Sequence, residues 1–457
     1  MEQQKTKSSL DRRSLLKNLG LGAAWGTFGI LRGGGKVFGN NFVDNRLPSE
    51  SRSAIDNTES LSIIKVEGIR FKDNLSFSGR PAGSSRAGFC WVRITTNTGI
   101  VGIGETYPGI NGELGNLKDI TPRFLMGKDP RDIDMIWRNI YQYQSMRNAG
   151  GSDMHMLSAI DMALLDILGK SSGLPLYRLL GGKTRSRVKV YNTVMGGESL
   201  EGMRMGQDTE NIVKFLLDRG ITGMKIYPFN EFSFMEKGAD AGGQFISSED
   251  LDKGVSWLKQ IRETAGNKME ILIDAGGRWN LPSSQRILKA IEPYNVIHFE
   301  DIQIPSNAQQ AYAVLAAESS IPIAHSETMA TRYELKDFLQ ERALDILSYD
   351  LCWCGGPSEG KKMSDMADTY NIPTSPHTAG GPLLWVSSIH VCTALANFLY
   401  TESHYNSYTQ RYPYFLNNLP VPVGGYVTAP EAPGLGVEIR PELFKSGDAI
   451  VETMAKI

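Results

Sequence analysis

Hydrophobic and polar positions along this chain follow two different patterns, and the change between them falls near residue 180. Before that point, apolar and polar residues alternate over short stretches, as they do in half-buried β-strands. A turn-forming segment separates two of these stretches and predicts a hairpin; it consists of Asn97, Thr98 and Gly99. We therefore expect residues 61–180 to form a small α+β domain, with antiparallel strands first and helices after them. The predicted strands span residues 63–71, 89–96 and 100–105, and the predicted helices about 116–147 and 152–172.

After residue 181, short apolar strands alternate with segments of helical pattern. Eight such strands are what a (β/α)₈ barrel requires, so residues 181–415 are predicted to form an α/β barrel. Residues 416–457 are rich in glycine and proline, and we expect this C-terminal segment to pack on the domain of residues 61–180. The predicted barrel strands are residues 188–191, 223–226, 270–274, 296–300, 323–325, 346–349, 374–376 and 397–400.

Seven ionisable residues stand at or just after the ends of these predicted strands. From Asp274 onwards they are 23 to 27 residues apart, which is the length of one strand–helix unit. The first interval is about twice as long and contains a polar, glycine-rich insertion at residues 230–250. Because active sites of barrels lie where the carboxyl ends of the strands meet, we expect all seven side chains to converge there. They are Lys225, Asp274, Glu300, Glu327, Asp350, His377 and Glu402.

Three of these residues, Asp274, Glu300 and Glu327, follow three successive strands. Three carboxylates directed at one point cannot all stay charged without a cation, and hard oxygen ligands with room for water or substrate suit Mg²⁺. An alternative is that two of the three carboxylates are the acid and the base of a glycosidase. That alternative leaves the third carboxylate, Asp350 and His377 without a role. A purely structural network is a weaker alternative, because a solvated barrel mouth needs no such cluster. The sequence therefore predicts a Mg²⁺ site.

The other four ionisable residues are candidates for proton transfer and substrate binding. Asp350 lies one strand before His377, and a carboxylate beside an imidazole fixes its tautomer and raises its pKa, as a general base requires. Lys225 is expected to hold a substrate carboxylate or, after losing its proton, to act as a base from the opposite face. Glu402 closes the ring and would donate a hydrogen bond to the substrate if its pKa is raised. The alternatives are an isolated surface histidine and solvated charges at the rim of the barrel.

The first forty residues differ in composition from the rest. Arg12 and Arg13 precede a short apolar segment with small residues, which is the order found in a twin-arginine export signal. We therefore expect residues 1–40 to direct export, for example to the periplasm, and residues 41–60 to be a polar linker. If residues 1–40 are instead a leader helix, the protein is cytoplasmic. The apolar run is too short for a stable membrane span.

Composition and charge exclude several other classes of protein. Hydrophobic residues make up 41% and charged residues 21% of the chain, as in a soluble globular protein. The net charge of −2, without a long run of lysine or arginine, argues against a nucleic-acid partner. The cysteines form no CxxC pair, so a zinc site is unsupported and buried structural thiols are expected. They are Cys90, Cys352, Cys354 and Cys392.

Several segments carry a resemblance to a known family. Residues 159–182 contain Ala-Ile-Asp-Met-Ala-Leu-Leu-Asp-Ile-Leu-Gly-Lys and then Leu-Leu-Gly-Gly, similar to the signature that links cap and barrel in the enolase superfamily. Over roughly residues 61–440 the chain resembles this superfamily, specifically its mandelate racemase-like, acid-sugar dehydratase branch. The other matching segments are residues 220–225 (the second-strand lysine motif), 298–301 and 324–327 (two metal-ligand strands), 350–356 with His377 (the Asp–His dyad) and 432–436 (the usual ending).

The resemblance implies a fold and a reaction. The fold is an α/β, modified TIM (β/α)₇β-type barrel with an N-terminal α+β capping domain. In the reaction, the substrate carboxylate binds Mg²⁺, a base removes the α-proton, and the metal and neighbouring cations stabilise the enediolate. In dehydratases the β-hydroxyl then leaves, and the product is a 2-keto-3-deoxy acid.

Two positions depart from the family pattern. The racemase motif is Lys-x-Lys, whereas Tyr227 stands two residues after Lys225, and Gly276 stands where some relatives have a histidine. A two-base racemase is therefore disfavoured unless Lys225 or Tyr227 substitutes, and dehydration with His377 as base and then as acid fits better. We predict a Mg²⁺-dependent acid-sugar dehydratase. The alternatives are an epimerase or racemase, a cycloisomerase, and a non-catalytic sugar-acid binding protein.

Two loops are expected to select the substrate. Residues 76–86 and 230–250 would close over the small acid sugar and provide candidate contacts with its hydroxyl groups or carboxylate. Barrels of this type also associate, so a homo-oligomer is expected. The candidate contact residues in the two loops are Arg80, Arg86 and Glu231.

Overall fold

The structure, a computed structural model, describes most of the chain beyond residue 59. The predicted export signal, the linker before Ser60, and the loop with Arg80 and Arg86 lie outside the described residues. Within the described part, no helix combines the length and apolar character needed to cross a bilayer. The described residues are 60–72, 75, 88–108, 112–146, 150–195, 200–235, 242–303 and 307–457.

The N-terminal part of the described chain is an antiparallel sheet covered by helices. Its glycines at the third strand allow an unusually close approach of a helix, because a Cβ at Gly104 would lie 1.9 Å from the carbonyl oxygen of Ala159. The long helix that contains Ala159 is buried along most of its length. The elements are β1 (Ile63–Phe71), β2 (Trp91–Thr96), β3 (Val101–Glu105), α1 (Glu113–Ile120), α2 (Ile133–Ser145), α3 (Gly151–Ser172) and α4 (Leu176–Leu179).

One helix prediction in this region was wrong. The segment 116–147, predicted as continuous, is divided into α1, a π-helical turn at Thr121–Leu125, and α2. Gly127 adopts a left-handed φ of 72°, and Pro130 follows it before α2 begins. Both residues interrupt helical hydrogen bonding, although the hydrophobic spacing continues across them.

The second part of the chain is a barrel of parallel strands surrounded by helices. Seven strands are hydrogen-bonded in the order β10-β4-β5-β6-β7-β8-β9, and every neighbouring pair is parallel. The α/β barrel predicted from the sequence is thus confirmed. Its elements are β4 (Val188–Thr193), α5 (Thr209–Asp218), β5 (Gly223–Ile226), α6 (Ser248–Ala265), β6 (Glu270–Asp274), α7 (Leu281–Ile291), β7 (Val296–Glu300), α8 (Gln309–Glu318), β8 (Ile323–His325), α9 (Thr331–Gln340), β9 (Ile346–Leu347), α10 (Pro357–Asp368), α11 (Pro382–Ala394) and β10 (Thr401–Ser403).

The last two predicted strands of the barrel needed correction. Residues 374–376 form only isolated bridges, from Thr374 to Leu347 on one side and to Phe398 on the other. The backbone N–H of Glu402 in β10 also donates to the carbonyl of Pro376 at 3.4 Å, so this segment links β9 to β10 and completes the ring of strands. The strand predicted at 397–400 lies instead at Thr401–Ser403, where it pairs with β4. Hydrophobicity misplaced it, because the buried strand residues Thr401, Glu402 and Ser403 are all polar.

The C-terminal segment contacts both parts of the fold. Its last strand pairs antiparallel with β1 and extends the first sheet to the order β14-β1-β2-β3. Earlier in the segment, Tyr426 and Val427 pair with β4 of the barrel. The segment therefore links the cap to the barrel. Its elements are β11 (Leu416–Asn417), β12 (Tyr426–Val427), β13 (Glu438–Ile439), α12 (Glu442–Lys445) and β14 (Ala449–Lys456).

Buried aspartates of α3 fix the cap to other segments. Asp161 accepts a hydrogen bond from the backbone N–H of Ser358 at 2.9 Å, at the start of α10. Asp166 accepts one from the backbone N–H of Leu435 at 2.9 Å and another from Ile103 at 3.1 Å. The segment of α3 that resembles the family signature therefore holds the barrel and the C-terminal segment against the cap.

Glu105, at the end of β3, joins the cap to the barrel. Its carboxylate is fully buried and accepts hydrogen bonds from the indole of Trp91 at 2.9 Å and from three backbone N–H groups at 2.9 to 3.2 Å. Those groups belong to Gly381, Leu383 and Leu384 at the N-terminus of α11, where a negative charge is favoured. Burial raises the pKa of Glu105 to about 7, and these donors oppose the rise.

Replacing Glu105 by glutamine should destabilise the protein, since every partner of the carboxylate is an N–H donor. The glutamine NH₂ group would face another donor, and we expect a loss of about 2–3 kcal/mol in the free energy of unfolding. Urea denaturation measures this. Glu249→Gln is the control because Glu249 is largely exposed, and it should change stability by less than about 0.5 kcal/mol. Equal stability of the two variants would contradict the role given to Glu105.

Candidate active site

The seven ionisable residues selected by their spacing all lie at one end of the barrel. Lys225 is in β5, and Asp274 and Glu300 are the last residues of β6 and β7. The others follow their strands or, for Glu402, lie within β10. The contacts described below join these side chains into two groups, and His377 Nε2, 3.8 Å from Glu402 Oε2, links the groups into one cluster.

Lys225 lies at the centre of three carboxylates. It has no exposed surface, and its Nζ lies 2.8 Å from Glu300 Oε2, 3.0 Å from Glu402 Oε1 and 3.1 Å from Asp274 Oδ2. Burial lowers the pKa of Lys225, but Glu300 and Glu402 outweigh that effect and hold it well above its ordinary value. Of the two roles predicted for Lys225, this geometry favours the cation over the neutral base.

Asp274, Glu300 and Glu327 converge as the spacing predicted. One carboxylate oxygen of each lies within 4.8 Å of the others. Burial raises the pKa of Asp274 to about 6, and it raises the pKa of Glu327 well above its ordinary value. Asp274 and Glu300 are buried and Glu327 is half-buried. Three converging carboxylates of this kind are stabilised by a bound cation, and an all-oxygen donor set suits Mg²⁺. The residues present therefore fit the metal that the sequence predicted.

His377 and Asp350 form a buried pair. His377 Nδ1 lies 2.9 Å from Asp350 Oδ2, and the other oxygen of Asp350 accepts the backbone N–H of Cys352 at 2.6 Å. The second ring nitrogen, Nε2, lies 3.2 Å from Glu327 Oε2. Burial lowers the pKa of His377, but Glu327, Glu402 and Asp350 together raise it well above its ordinary value. The imidazole is thus held by Asp350 with its Nε2 directed at the carboxylate cluster.

Glu402 was expected to donate a hydrogen bond to the substrate if its pKa were raised, but its pKa is lowered. Burial raises its pKa, but Lys225 and His377 lower it to below the ordinary range of a carboxyl group. Its oxygens accept hydrogen bonds from Thr193 Oγ1 and from the backbone N–H of Thr378, the latter at 2.8 Å. Glu402 is therefore a charged acceptor that positions Lys225 and His377, and it has no proton to donate to a substrate.

Two features of the site were not predicted from the sequence. Ser348 donates a hydrogen bond to Glu300 Oε1 at 2.9 Å. Asp301 Oδ1 lies 2.5 Å from His325 Nδ1. Asp301 directly follows Glu300, and His325 is the last residue of β8, so this contact joins the ends of two neighbouring strands. Ser348 and Asp350 alternate along one extended segment, a signal that could have identified the serine. The pairing of Asp301 with His325 depends on strand order and could not be read from spacing alone.

The cap contributes an aromatic side chain to the site. The ring of Tyr107, two residues after β3, lies 6.5 Å from the ring of His377 and 5.2 Å from that of Trp353. Burial, together with the negative charges of Glu327 and Asp350, raises the pKa of Tyr107. Glu231, the candidate contact of the second loop, is exposed on the 3₁₀ turn Asn230–Ser233.

Comparisons with known sequences agree with this geometry. Residues 208–443, more than half of the chain, match the family described as enolase C-terminal domain-like, and residues 80–181 match the mandelate racemase / muconate lactonizing enzyme N-terminal domain. The D-galactonate dehydratase of Ralstonia nicotianae is 32% identical over 358 residues, or 76% of this chain and 88% of that protein. The D-galactonate dehydratase of Xanthomonas euvesicatoria is 32% identical over 365 residues, or 78% and 90%.

Solved structures show the same architecture. An enolase of the mandelate racemase subgroup from Agrobacterium tumefaciens is 31% identical, with a TM-score of 0.75 over 86% of this chain and 98% of the other. A member of the enolase superfamily from Salmonella Typhimurium is 25% identical, with a TM-score of 0.76 over 86% and 99%. The sequence matches and these structures together establish that the chain belongs to the enolase superfamily, in the mandelate racemase and muconate lactonizing enzyme family.

Proposed function

We propose that this protein is a hydro-lyase that dehydrates an acid sugar to a 2-keto-3-deoxy acid. The observation that carries the proposal is the buried pair of His377 and Asp350, with a tyrosine in place of the second lysine of the racemase motif. The His377–Asp350 pair lies on one side of the carboxylate cluster, and the side chain two residues after Lys225 is Tyr227. D-galactonate is the first substrate to test, because relatives at 32% identity are named D-galactonate dehydratase.

Asp274, Glu300 and Glu327 would hold Mg²⁺ in this enzyme. Bound there, Mg²⁺ supplies positive charge that stabilises the enediolate and makes the α-proton more acidic. Protonated Lys225 adds a second cation beside Asp274 and Glu300, where the substrate carboxylate would bind. Nearby positive charge is what allows an imidazole to remove a proton next to a carboxylate.

His377 performs both proton transfers in the proposed reaction. Its Nε2 accepts the α-proton, while Asp350 holds Nδ1 and stabilises the imidazolium that forms. The electron pair of the C–H bond then forms the double bond as the β C–O bond breaks. His377 returns the proton to the departing hydroxyl, so water leaves and the base is neutral again. The enol product then takes up a proton at C3 from solvent and releases its C2 hydroxyl proton, which gives the 2-keto acid.

Proton NMR in D₂O tests this reaction with a panel of acid sugars that includes D-galactonate. We expect the α-proton signal to disappear and a signal from a C3 group that carries one proton and one deuteron to appear with Mg²⁺, and neither change with excess EDTA. Exchange of the α-proton without dehydration would show an epimerase instead. An unchanged spectrum for the whole panel, with acid-sugar binding retained, would show a binding protein.

A further inference from the structure

Two polar side chains meet beside the metal-ligand cluster without a role in the proposed chemistry. Asn230 begins the turn after β5, and Arg278 lies four residues after Asp274. A Cβ atom on Gly276 would lie 3.4 Å from Arg278 Nε and 3.5 Å from Asn230 Nδ2. Gly276 is itself exposed and donates its backbone N–H to Asp274 Oδ1 at 2.7 Å. Both side chains therefore lie close to the backbone of Gly276, two residues after Asp274.

Each of these side chains has one polar atom that is buried and unsatisfied. Among the described residues, Asn230 Oδ1 and Arg278 Nε have no hydrogen-bond partner. Leaving a buried polar group unpaired costs about 1–3 kcal/mol, so native proteins keep such groups mainly where a ligand or water completes them. Here the two atoms are of opposite kinds, because Asn230 Oδ1 accepts a hydrogen bond and Arg278 Nε donates one.

A hydroxyl group is the ligand that satisfies both atoms at once. Its oxygen accepts the N–H of Arg278, and its hydrogen is donated to Asn230. A carboxylate or phosphate would satisfy Arg278 but would leave the Asn230 oxygen facing another acceptor.

The aromatic neighbour of Arg278 fixes the direction of its donor. The guanidinium carbon lies 4.1 Å from the centre of the Phe234 ring, in the same insertion as Asn230. Contact with the face of a ring restricts the plane of the guanidinium group. The insertion thus supplies both the acceptor and the group that orients the donor, although the donor itself belongs to the next loop of the barrel.

We propose that Asn230 and Arg278 form a subsite that binds one hydroxyl group of the acid sugar and so selects among polyhydroxy acids. The proposal rests on the proposed function, in that an acid sugar occupies the site beside Asp274. It differs from the sequence expectation, which assigned the contacts of this insertion to Glu231.

Binding rather than turnover provides the test. In the His377→Asn background with Mg²⁺, calorimetry measures the Kd of D-galactonate and of its 4-deoxy, 5-deoxy and 6-deoxy analogues. With Asn230 and Arg278 intact, one deoxy analogue should bind about 10- to 100-fold more weakly than D-galactonate. Asn230→Ala, Arg278→Met and Arg278→Lys should each bring that ratio close to one, mainly by weakening the binding of D-galactonate.

Arg286→Met and Glu231→Ala are the matched controls. Arg286 also lies over an aromatic ring, 5.0 Å from the centre of Phe245, but it donates to the carbonyl of Ile246. Both controls should keep the selectivity. Arg278→Lys retains the cation, so a loss of selectivity in this variant would show that the direction of the Nε donor matters, in addition to its charge.

Other outcomes would overturn the subsite. Equal weakening of all four ligands, or reduced thermal stability with selectivity retained, would mean that Asn230 and Arg278 only hold the two loops together. Absence of binding by every ligand would also overturn it. If selectivity depends on the pair but the parent enzyme forms no keto acid, the proposed function fails and the subsite stands. If D-galactonate is dehydrated and the variants keep the selectivity, only the subsite fails.

Discussion

Replacing His377 by asparagine is expected to lower kcat by about 10⁴-fold while leaving Mg²⁺ binding unchanged. Asparagine has no group that can accept the α-proton at neutral pH, although its size keeps the pocket filled. His377 is not among the three carboxylates that would hold the metal, so their convergence should survive the change. Steady-state kinetics with the substrate found by NMR, together with Mg²⁺ titration calorimetry, measures the two quantities separately.

His390→Asn is the matched control for this experiment. His390 is also fully buried, but its ring nitrogens contact the backbone N–H of Tyr177 and the carbonyl of Leu435, away from the barrel mouth. Burial lowers its pKa to about 4, so it is neutral in the folded protein. We expect this variant to lose stability but to keep its kcat per folded molecule. If His377→Asn turned over at the parental rate, His377 would not be the base.

Replacing Lys225 by methionine is expected to reduce both stability and turnover. Methionine fills a similar volume but leaves Asp274, Glu300 and Glu402 without the ammonium that now lies within 3.1 Å of each. Removing one partner from a buried ionic cluster costs about 3–5 kcal/mol, because the remaining charges stay buried and uncompensated. We expect turnover to fall by about 10³-fold, as it does when a group that stabilises developing negative charge is removed.

Adding Mg²⁺ separates the loss of stability from the loss of turnover in the Lys225→Met variant. Saturating Mg²⁺ should restore part of the lost stability in urea denaturation, since it would again neutralise Asp274 and Glu300, but it should not restore turnover. Lys189→Met is the control, because Lys189 also pairs with a carboxylate of the barrel, Glu270, at 3.1 Å, outside the cluster. That variant should keep its kcat. Parental turnover in Lys225→Met would remove the lysine from the reaction.

Spacing along the sequence predicted the centre of the site well. Strands such as Glu270–Asp274 and Val296–Glu300 have the predicted bounds, because each is a short apolar run ending in a carboxylate. In a parallel barrel, a residue that ends a strand lies at the mouth whatever the details of the loops. Periodicity therefore located the acidic residues even where strand bounds were wrong, as at Glu402.

The same reasoning could not predict contacts that depend on side-chain packing. Glu402 was assigned a conditional role as a donor because its neighbour in space, Lys225, is far away in sequence. The pairs Asp301–His325 and Asn230–Arg278 bring together loops from different strands, and their distances depend on rotamers and on glycine positions. Hydrophobic patterning carries no information about these choices, since all of the residues involved are polar.

The pairing of β1 with β14 has a consequence for how the protein is synthesised. Phe71 pairs with Ala449 and Lys65 with Lys456, so one sheet joins residues from opposite ends of the sequence. At a translation rate of about 5–20 residues per second, β1 waits roughly 20 to 80 s on the ribosome for its partner strand. During that time one edge of β1 has unpaired backbone groups, which are a template for pairing with other chains. The cap therefore exposes an unpaired strand edge during most of synthesis, and a chaperone that covers β1 would protect the nascent protein there.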